Sequence, residues 1–436
     1  MQQTEYWERE LETMPAPQLR ELQLRRLKRA IQLCERTPYW SEVLSRAGLS
    51  AGSLKSLDDL RRLPFLTKDD LRQRPRDMVA VPAEELVRVH TTSGTTGSAV
   101  PIFHTIEDIG AWAALVARCL YMVGVRASDV FQNMMGYGLF TGGLGFHYGA
   151  ERIGALVIPA GAGNSHRQIR LMQQFGTTVV HIIPSYALYL SSIFEEEGLD
   201  PGGMGLRIAL IGAEPHTEDL RRRLEAMYGI EAFNSYGLTE MSGPGVAFEC
   251  RCKEGLHLWE DSYIMELVDP ESGEPVAEGE EGELVLTTLH RRGMPLLRYR
   301  TRDLTRIISE PCACGRTHRR ITRIKGRTDD MFVIKGVNVF PMQVERVLLG
   351  VLGVGSNYRI VLERSGLQDQ MRVEVEVSGS LWQGDVQKLN ALRERIRAQL
   401  RDDILVTPRV ELIEPGALPR SEGKAVRVVD QREEGG

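Results

Sequence analysis

Long hydrophobic runs are missing from this 436-residue chain. The longest apolar stretch, around Val179 to Phe194, is interrupted by Pro184, Ser185, Ser191 and Ser192. A membrane-spanning helix needs roughly 20 consecutive apolar residues, so no span is expected. The opening Met1-Gln2-Gln3-Thr4-Glu5 has neither a basic n-region nor an apolar h-region, and no secretory signal is read there. Long basic runs are also absent, and the net charge is −5. Neutralising nucleic-acid phosphates takes a basic face, which disfavours DNA or RNA as the main partner. Cysteine is scarce: six residues over this length do not make a disulfide scaffold. The expectation is a cytoplasmic protein with no membrane and no nucleic-acid partner.

What is present is a globular mixture, 42% hydrophobic and 26% charged. The length exceeds what one hydrophobic core usually supports, so two or more domains are expected. Residues 1 to about 75 read as helical. Leu11, Leu19, Leu22, Leu24 and Leu27 fall among charges, and Pro38 and Pro64 break the run. From Val87 to Thr92 a β-like stretch enters a Gly/Ser/Thr-rich loop. Short apolar runs then alternate with helical segments. The runs are Ala155 to Pro159, Thr178 to Ile183 and Ile208 to Ile211; the helices are Ser165 to Phe175 and Glu218 to Met227. That alternation predicts an α/β domain with largely parallel sheets. From Tyr263 to Leu289 the pattern is strand–turn–strand, turning at Pro270-Glu271-Ser272-Gly273.

After Asp329-Asp330 the pattern changes. Met331 to Phe340 reads as strand and loop. Val344, Val347, Leu348 and Val351 make a helix face, and Tyr358 to Leu362 a strand. Val373, Val375 and Val377 alternate with charges. Val386, Leu389, Leu392, Ile396 and Leu400 mark a second helix, and Val410 to Ile413 closes the series. The order β-α-β-β-α-β fits a small α+β, ferredoxin-like domain of about 100 residues. The boundaries expected are a large domain over 1–328 and a small one over 329–436.

Two patterns carry chemistry on their own residues. In Thr91-Thr92-Ser93-Gly94-Thr95-Thr96-Gly97, backbone N–H groups and hydroxyls can converge on phosphate oxygens, and Gly94 and Gly97 allow close approach. No Gly-Lys-Ser/Thr ends the loop, so it is not a Walker A element. Cys250-x-Cys252 followed by His257, and Cys312-x-Cys314 followed by His318, supply thiolates and imidazoles of the kind that hold tetrahedral zinc. Cys34 and Cys119 lie in apolar helical stretches and read as core thiols.

With TTSGTTG (91–97), the chain also has GYGLFTGGLGFHYGAER (136–152), PSYALYL (184–190), GAEP (212–215), NSYGLTEMSGPGVAFEC (234–250), MPLLRYRTRDLTRI (294–307), GRTDDMFVIKGVNVFP (326–341) and LPRSEGKAVRV (418–428). In this order, over nearly the whole length, they resemble the adenylate-forming superfamily and, within it, the phenylacetate–coenzyme A ligase family. The resemblance implies a large adenylate-forming domain, with β-sheets packed by helices, and a mobile small domain. It implies ATP with Mg²⁺, a small-molecule carboxylic acid and coenzyme A as ligands, and structural zinc. A homodimer is left open.

The resemblance also assigns roles. Ser93, Gly94, Thr95, Thr96 and Gly97 would bind phosphates. Gly212, Ala213, Glu214, Pro215, Asn234, Ser235, Tyr236 and Gly237 would surround the adenine side of the nucleotide. Thr239 would touch the α-phosphate, Glu240 would hold Mg²⁺, and Asp303 with Arg327 would take the ribose. Asp329 would be the hinge and Lys424 the catalytic lysine. Tyr137 and Phe140 would line the aryl-acid pocket. Lys335, Gly336 and Asn338 would belong to the loop that meets coenzyme A, with backbone freedom at its start resting on Gly336 alone. For zinc it carries over Cys250, His257, Cys312 and Cys314, with Cys252 and His318 as alternates; four protein ligands would make the site structural.

Plainer roles stand beside these. Glu240 could cap a helix, Asp303 could be a turn carboxylate held by Arg300 or Arg302, and Lys424 could be a solvated tail lysine. Two departures from relatives stand out, the first bearing on the grip on ATP, which would rely more on backbone groups, and the second on the acid more than on the reaction type. Ser98 stands where many carry lysine, and Asn133-Met134-Met135 where they more often show Ala and Tyr. Transfer to a carrier protein or a deazaflavin is the alternative enzyme reading. A dead nucleotide-binding regulator is the other, and Glu240, Asp303, Arg327 and Lys424 together speak against it.

Overall fold

A computed structural model describes residues 5–92, 99–214, 216–351, 353–365, 368–377, 379–382, 386–419 and 427–432. The first 75 residues are largely helical. Leu19, Leu22, Leu27, Ile31 and Cys34 form the buried stripe of helix Ala16–Cys34. Pro38 does not simply interrupt the run. It sits in the first turn of helix Pro38–Ala47, where its missing N–H costs no intrahelical bond, and Thr37 caps that end.

One twelve-stranded sheet forms the body of the large lobe. On one side its strands run parallel, in the spatial order Leu156–Ile158, Val130–Asn133, Val179–Ile182, Ile208–Gly212 and Glu231–Leu238. The strands Val179–Ile182 and Ile208–Gly212 are buried throughout, as expected for parallel strands covered on both faces. Helices Thr141–Ile153, Ser165–Phe175, Pro184–Glu196 and Glu218–Tyr228 connect them. Beyond Glu231–Leu238 the pairing turns antiparallel through Gly243–Glu249, Leu256–Leu258, Arg320–Ile321, Tyr299–Ile308, Glu281–Thr288 and Tyr263–Val268.

The small lobe has its own core. Phe332, Val344, Leu348, Ile360, Val373, Val375, Ile396 and Leu400 belong to one cluster whose buried residues, among those described, fall between 332 and 410, with Leu412 and Val428 packed against it. Its four-stranded sheet runs Arg409–Ile413, Gln368–Val377, Val354–Ser365, Val428–Asp430, with helices Pro341–Leu349 and Val386–Ile404 packed on it. The predicted first strand of a β-α-β-β-α-β order does not join this sheet. Phe332–Ile334 and Val337–Val339 pair only with each other, and Val428–Asp430 takes the place beside Val354–Ser365, parallel to it. A two-residue turn at Lys335-Gly336 closes that hairpin locally. Among the described residues, no helix is long and apolar enough to cross a membrane.

Candidate active site

The site residues gather where strands end. Strand Ile208–Gly212 stops at a residue with no room for a side chain: a Cβ on Gly212 would lie 2.6 Å from the carbonyl oxygen of Ser235. Ala213 then adopts φ +66°, and Glu214 turns back to accept from the Ser185 backbone N–H at 2.6 Å and its hydroxyl at 3.0 Å. The neighbouring strand Glu231–Leu238 brings Asn234, Ser235 and Tyr236 alongside. A register shift between Tyr236 and Gly237 draws in the next strand so closely that a Cβ on Gly237 would sit 2.0 Å from the carbonyl oxygen of Gly243.

Tyr236 is buried, and its hydroxyl donates to Asp303 Oδ2 at 2.5 Å. Burial, then the Asp303 charge, push the phenol pKa well up, so it remains a donor. Arg327 reaches Asp303 Oδ1 from the other side at 3.1 Å and grips Asp329 with two bonds of 2.8 and 2.9 Å. Strand pairing of Asp303 with Arg327 fixes this meeting. Arg300 and Arg302, the plainer partners for Asp303, instead pair with Glu283. Arg327 therefore links the expected ribose carboxylate to the expected hinge.

Glu240 lies in a single 3₁₀ turn, Thr239–Met241, and is buried. Its carboxylate accepts from the Tyr299 hydroxyl at 2.8 Å, and its backbone carbonyl from Arg291 Nη1 at 2.5 Å. The Tyr263 hydroxyl donates to the Met241 carbonyl at 2.8 Å. Glu240 is thus held as a buried acceptor by side chains, not used as a helix cap. Tyr299 lay inside a quoted motif, and only its burial against Glu240 distinguishes it; Arg291 stood outside every motif.

Strands Leu86–Thr91 and Pro101–Thr105 flank the Gly-rich loop and pair with each other; at its base the Thr92 N–H donates to the Val100 carbonyl at 3.1 Å and the Thr92 hydroxyl accepts from the Val100 N–H at 3.2 Å. Ser93, Gly94, Thr95, Thr96 and Gly97 lie outside the described residues, as do Pro215 and Lys424. Tyr137 packs edge-on against His147 and meets its Nδ1 at 3.2 Å, while His147 Nε2 lies 3.0 Å from Glu151. Phe140, just before helix Thr141–Ile153, is 52% exposed and is not enclosed with Tyr137.

At the small-lobe hairpin, Lys335 (φ +50°) and Gly336 (φ +81°) are both left-handed. The turn's freedom therefore does not rest on Gly336 alone; a two-residue hairpin that matches strand twist needs positive φ at both positions. Asn338 is exposed on the following strand.

The sulfur cluster is compact. One ligand atom each from Cys250, His257, Cys312 and Cys314 lies within 4.8 Å of all the others. His257 Nδ1 sits 3.0 Å from the His318 carbonyl oxygen, which leaves Nε2 facing Cys314 Sγ at 3.3 Å. A hydrogen bond from Cys250, then the His257 contact, favours the Cys314 thiolate, and the same pairing pushes the Cys250 thiol up. His318 spends both ring nitrogens on backbone, accepting from Glu260 N–H and meeting the Leu11 carbonyl. Neither His318 nor Cys252 belongs to the four. Residues near the start of the chain lie across this loop: the Tyr6 hydroxyl donates to the Cys314 carbonyl, Arg316 to Glu12, and Thr317 N–H to the Glu12 carbonyl.

Residues 20–290 match the profile of the family described as AMP-binding enzyme, and residues 336–432 that of AMP-binding enzyme C-terminal domain. The chain is 45% identical over 439 residues to a phenylacetate-coenzyme A ligase of Thermus thermophilus, covering 97% of this chain and 99% of that protein. It is 41% identical over 426 residues to one of Escherichia coli, covering 97% of each. Among solved structures, 2-hydroxyisobutyryl-CoA ligase in the postadenylation state with 2-HIB-AMP superposes at TM-score 0.93, with 31% identity, over 100% of this chain and 94% of that one. The same enzyme with 2-HIB-AMP and CoA in the thioesterification state gives 0.73, over 99% and 94%. The chain belongs to the phenylacetate–coenzyme A ligase family of AMP-binding, adenylate-forming enzymes.

Proposed function

We propose that the chain activates phenylacetate or a related aryl acid in two steps. A carboxylate oxygen attacks the α-phosphorus of ATP; the bond to the bridging oxygen breaks and pyrophosphate leaves. The thiol of coenzyme A then attacks the acyl carbon of the adenylate, and AMP leaves with the thioester formed. The carrying observation is the convergence of Tyr236, Asp303 and Arg327 beside the buried Glu240 turn. Asp303 Oδ1 and Oδ2 are held in place before any ribose arrives, which reduces the ordering cost of binding. Gly212, Ala213 and Asn234 to Tyr236 form the wall for the base, and Thr239 faces the α-phosphate.

Glu240 fits a hard cation, since it is a fixed carboxylate at the phosphate side of the site. Glu240 would hold Mg²⁺, and the cation would supply positive charge to offset that of the phosphates. The phosphate loop Ser93 to Gly97 and Lys424 complete the assignment; Lys424 would neutralise charge developing between carboxylate and α-phosphate. The proposed boundary stays at 328/329; the separate buried clusters on either side, one reaching Ile324 and the other starting at Phe332, and the grip of Arg327 on Asp329 support it. A swing there would bring Lys335, Gly336 and Asn338 toward the thiol. The higher likeness to a postadenylation state supports reading the present lobe arrangement as that one. Cys250, His257, Cys312 and Cys314 fit a closed tetrahedral zinc, a structural role. ATP, coenzyme A and six free thiols suit the cytoplasm.

An acid panel assayed for AMP release with and without coenzyme A tests this. Sustained AMP release should require both an aryl acid and coenzyme A. Release that is indifferent to coenzyme A would point to another acceptor.

A further inference from the structure

Two adjacent arginines take opposite directions. Arg292 reaches outward and pairs with Glu85 and Glu107. Arg291 turns inward, is 2% exposed, and has no carboxylate within ion-pair distance among the described residues. Its Nη1 donates to the Glu240 carbonyl at 2.5 Å, while Nε and Nη2 have no hydrogen-bond partner among the described residues. Burying a cation without a paired anion is costly, and a fold retains one where something offsets it.

Its direction is built in. Asp108, in the first turn of helix Ile106–Met122, accepts from the backbone N–H groups of Arg292 at 2.6 Å and Gly293 at 2.9 Å. These bonds fix the bend at which Arg291 points toward Glu240. Asp108 and Glu240 are the carboxylates whose fields reach the guanidinium, and both are already bonded elsewhere. Within reach of its field lie more buried polar atoms with no hydrogen-bond partner among the described residues: His90 Nε2, both nitrogens of His104 and His290 Nε2. His90 and His104 belong to the two strands that flank the Gly-rich loop.

We infer that Arg291 is a positioning residue for the triphosphate side of the site: it fixes the Glu240 turn from behind, and its charge, in direct contact with no carboxylate among the described residues, favours the polyanionic tail of ATP over AMP. This rests on the reading of Glu240 as the magnesium ligand. Arg291 is too buried to touch the nucleotide, so its effect passes through the turn and through the field of its charge.

The test is calorimetric binding of ATP, with and without Mg²⁺, and of AMP, with no acid present. Arg291→Gln should weaken Mg²⁺-dependent ATP binding by about tenfold or more, while AMP affinity stays within about threefold. Arg291→Lys should recover most of the loss. Equal weakening of ATP and AMP, or unchanged ATP affinity in a folded variant, would overturn the inference. Should Arg291→Gln not fold, Asp108→Asn decides: a selective loss for ATP supports the role, and unchanged ATP affinity overturns it. If Glu240→Gln leaves the magnesium dependence of ATP binding intact, the reading of Glu240 fails, and the inference with it. If Glu240→Gln abolishes that dependence but Arg291→Gln has no effect, only the inference fails.

Discussion

Asp303 shows how one carboxylate acquires a role from its neighbours. Its two oxygens are already engaged by Tyr236 and Arg327, so Asp303→Asn removes a charge-assisted bond and weakens the support of the site together. AMP and ATP affinities should both fall by about tenfold, read by calorimetry; unchanged affinities would take Asp303 out of the nucleotide site. This carboxylate could be read in sequence only as part of a motif. Arg300, Arg302 and Arg327 were equally plausible partners along the chain, and strand pairing decides among them. The two adjacent arginines at 291 and 292 pose the same difficulty more sharply. Side-chain direction there depends on Asp108, nearly two hundred positions earlier.

Short elements with local causes were the readable ones. Helix Ser165–Phe175 has the predicted bounds, because Asn164 caps one end and Gly176, at φ +63°, closes the other. The hairpin at Lys335-Gly336 was readable as strand and loop but not as an isolated pair, since sheet membership is a long-range matter. Gly336→Val places a β-branched residue at φ +81°, which costs on the order of 1–3 kcal/mol. If this turn meets coenzyme A, thioester formation from supplied adenylate should slow, while adenylation measured as pyrophosphate release stays near normal. Equal slowing of both would detach the hairpin from the thiol step. The thiol cluster likewise became specific only in space, where His318 spends both ring nitrogens on backbone and His257 keeps Nε2 for the sulfurs. Stripping metal from the protein should lower its melting temperature. A melting curve that does not move, with metal shown to be gone, would refute a structural ion.

Across the molecule, one carboxylate of the small lobe, Glu345, lies within the field of one of the large lobe, Glu214. Burial, reinforced by the Glu214 carboxylate, raises the Glu345 carboxyl from 4.5 to about 7, against the lowering effects of its Tyr358 hydrogen bond and of Arg427. The sign follows directly. Between about pH 4.5 and 7 the folded protein holds a proton that the unfolded chain has released, so this group's contribution to stability falls as pH rises through that window. Glu345→Gln should therefore melt higher than the parent at pH 8, with the difference shrinking toward pH 5. A gap that does not vary with pH would show that Glu345 does not titrate there.

The strap formed by residues 5–14 sets an order of events during synthesis. Tyr6 finds its partner at Cys314, 308 positions later, and Glu12 finds Arg316. Residues 5–14 must therefore wait during synthesis for a surface that emerges 304 to 308 positions after them. Shortening the amino-terminal end would strip the outer layer from a loop made long afterwards.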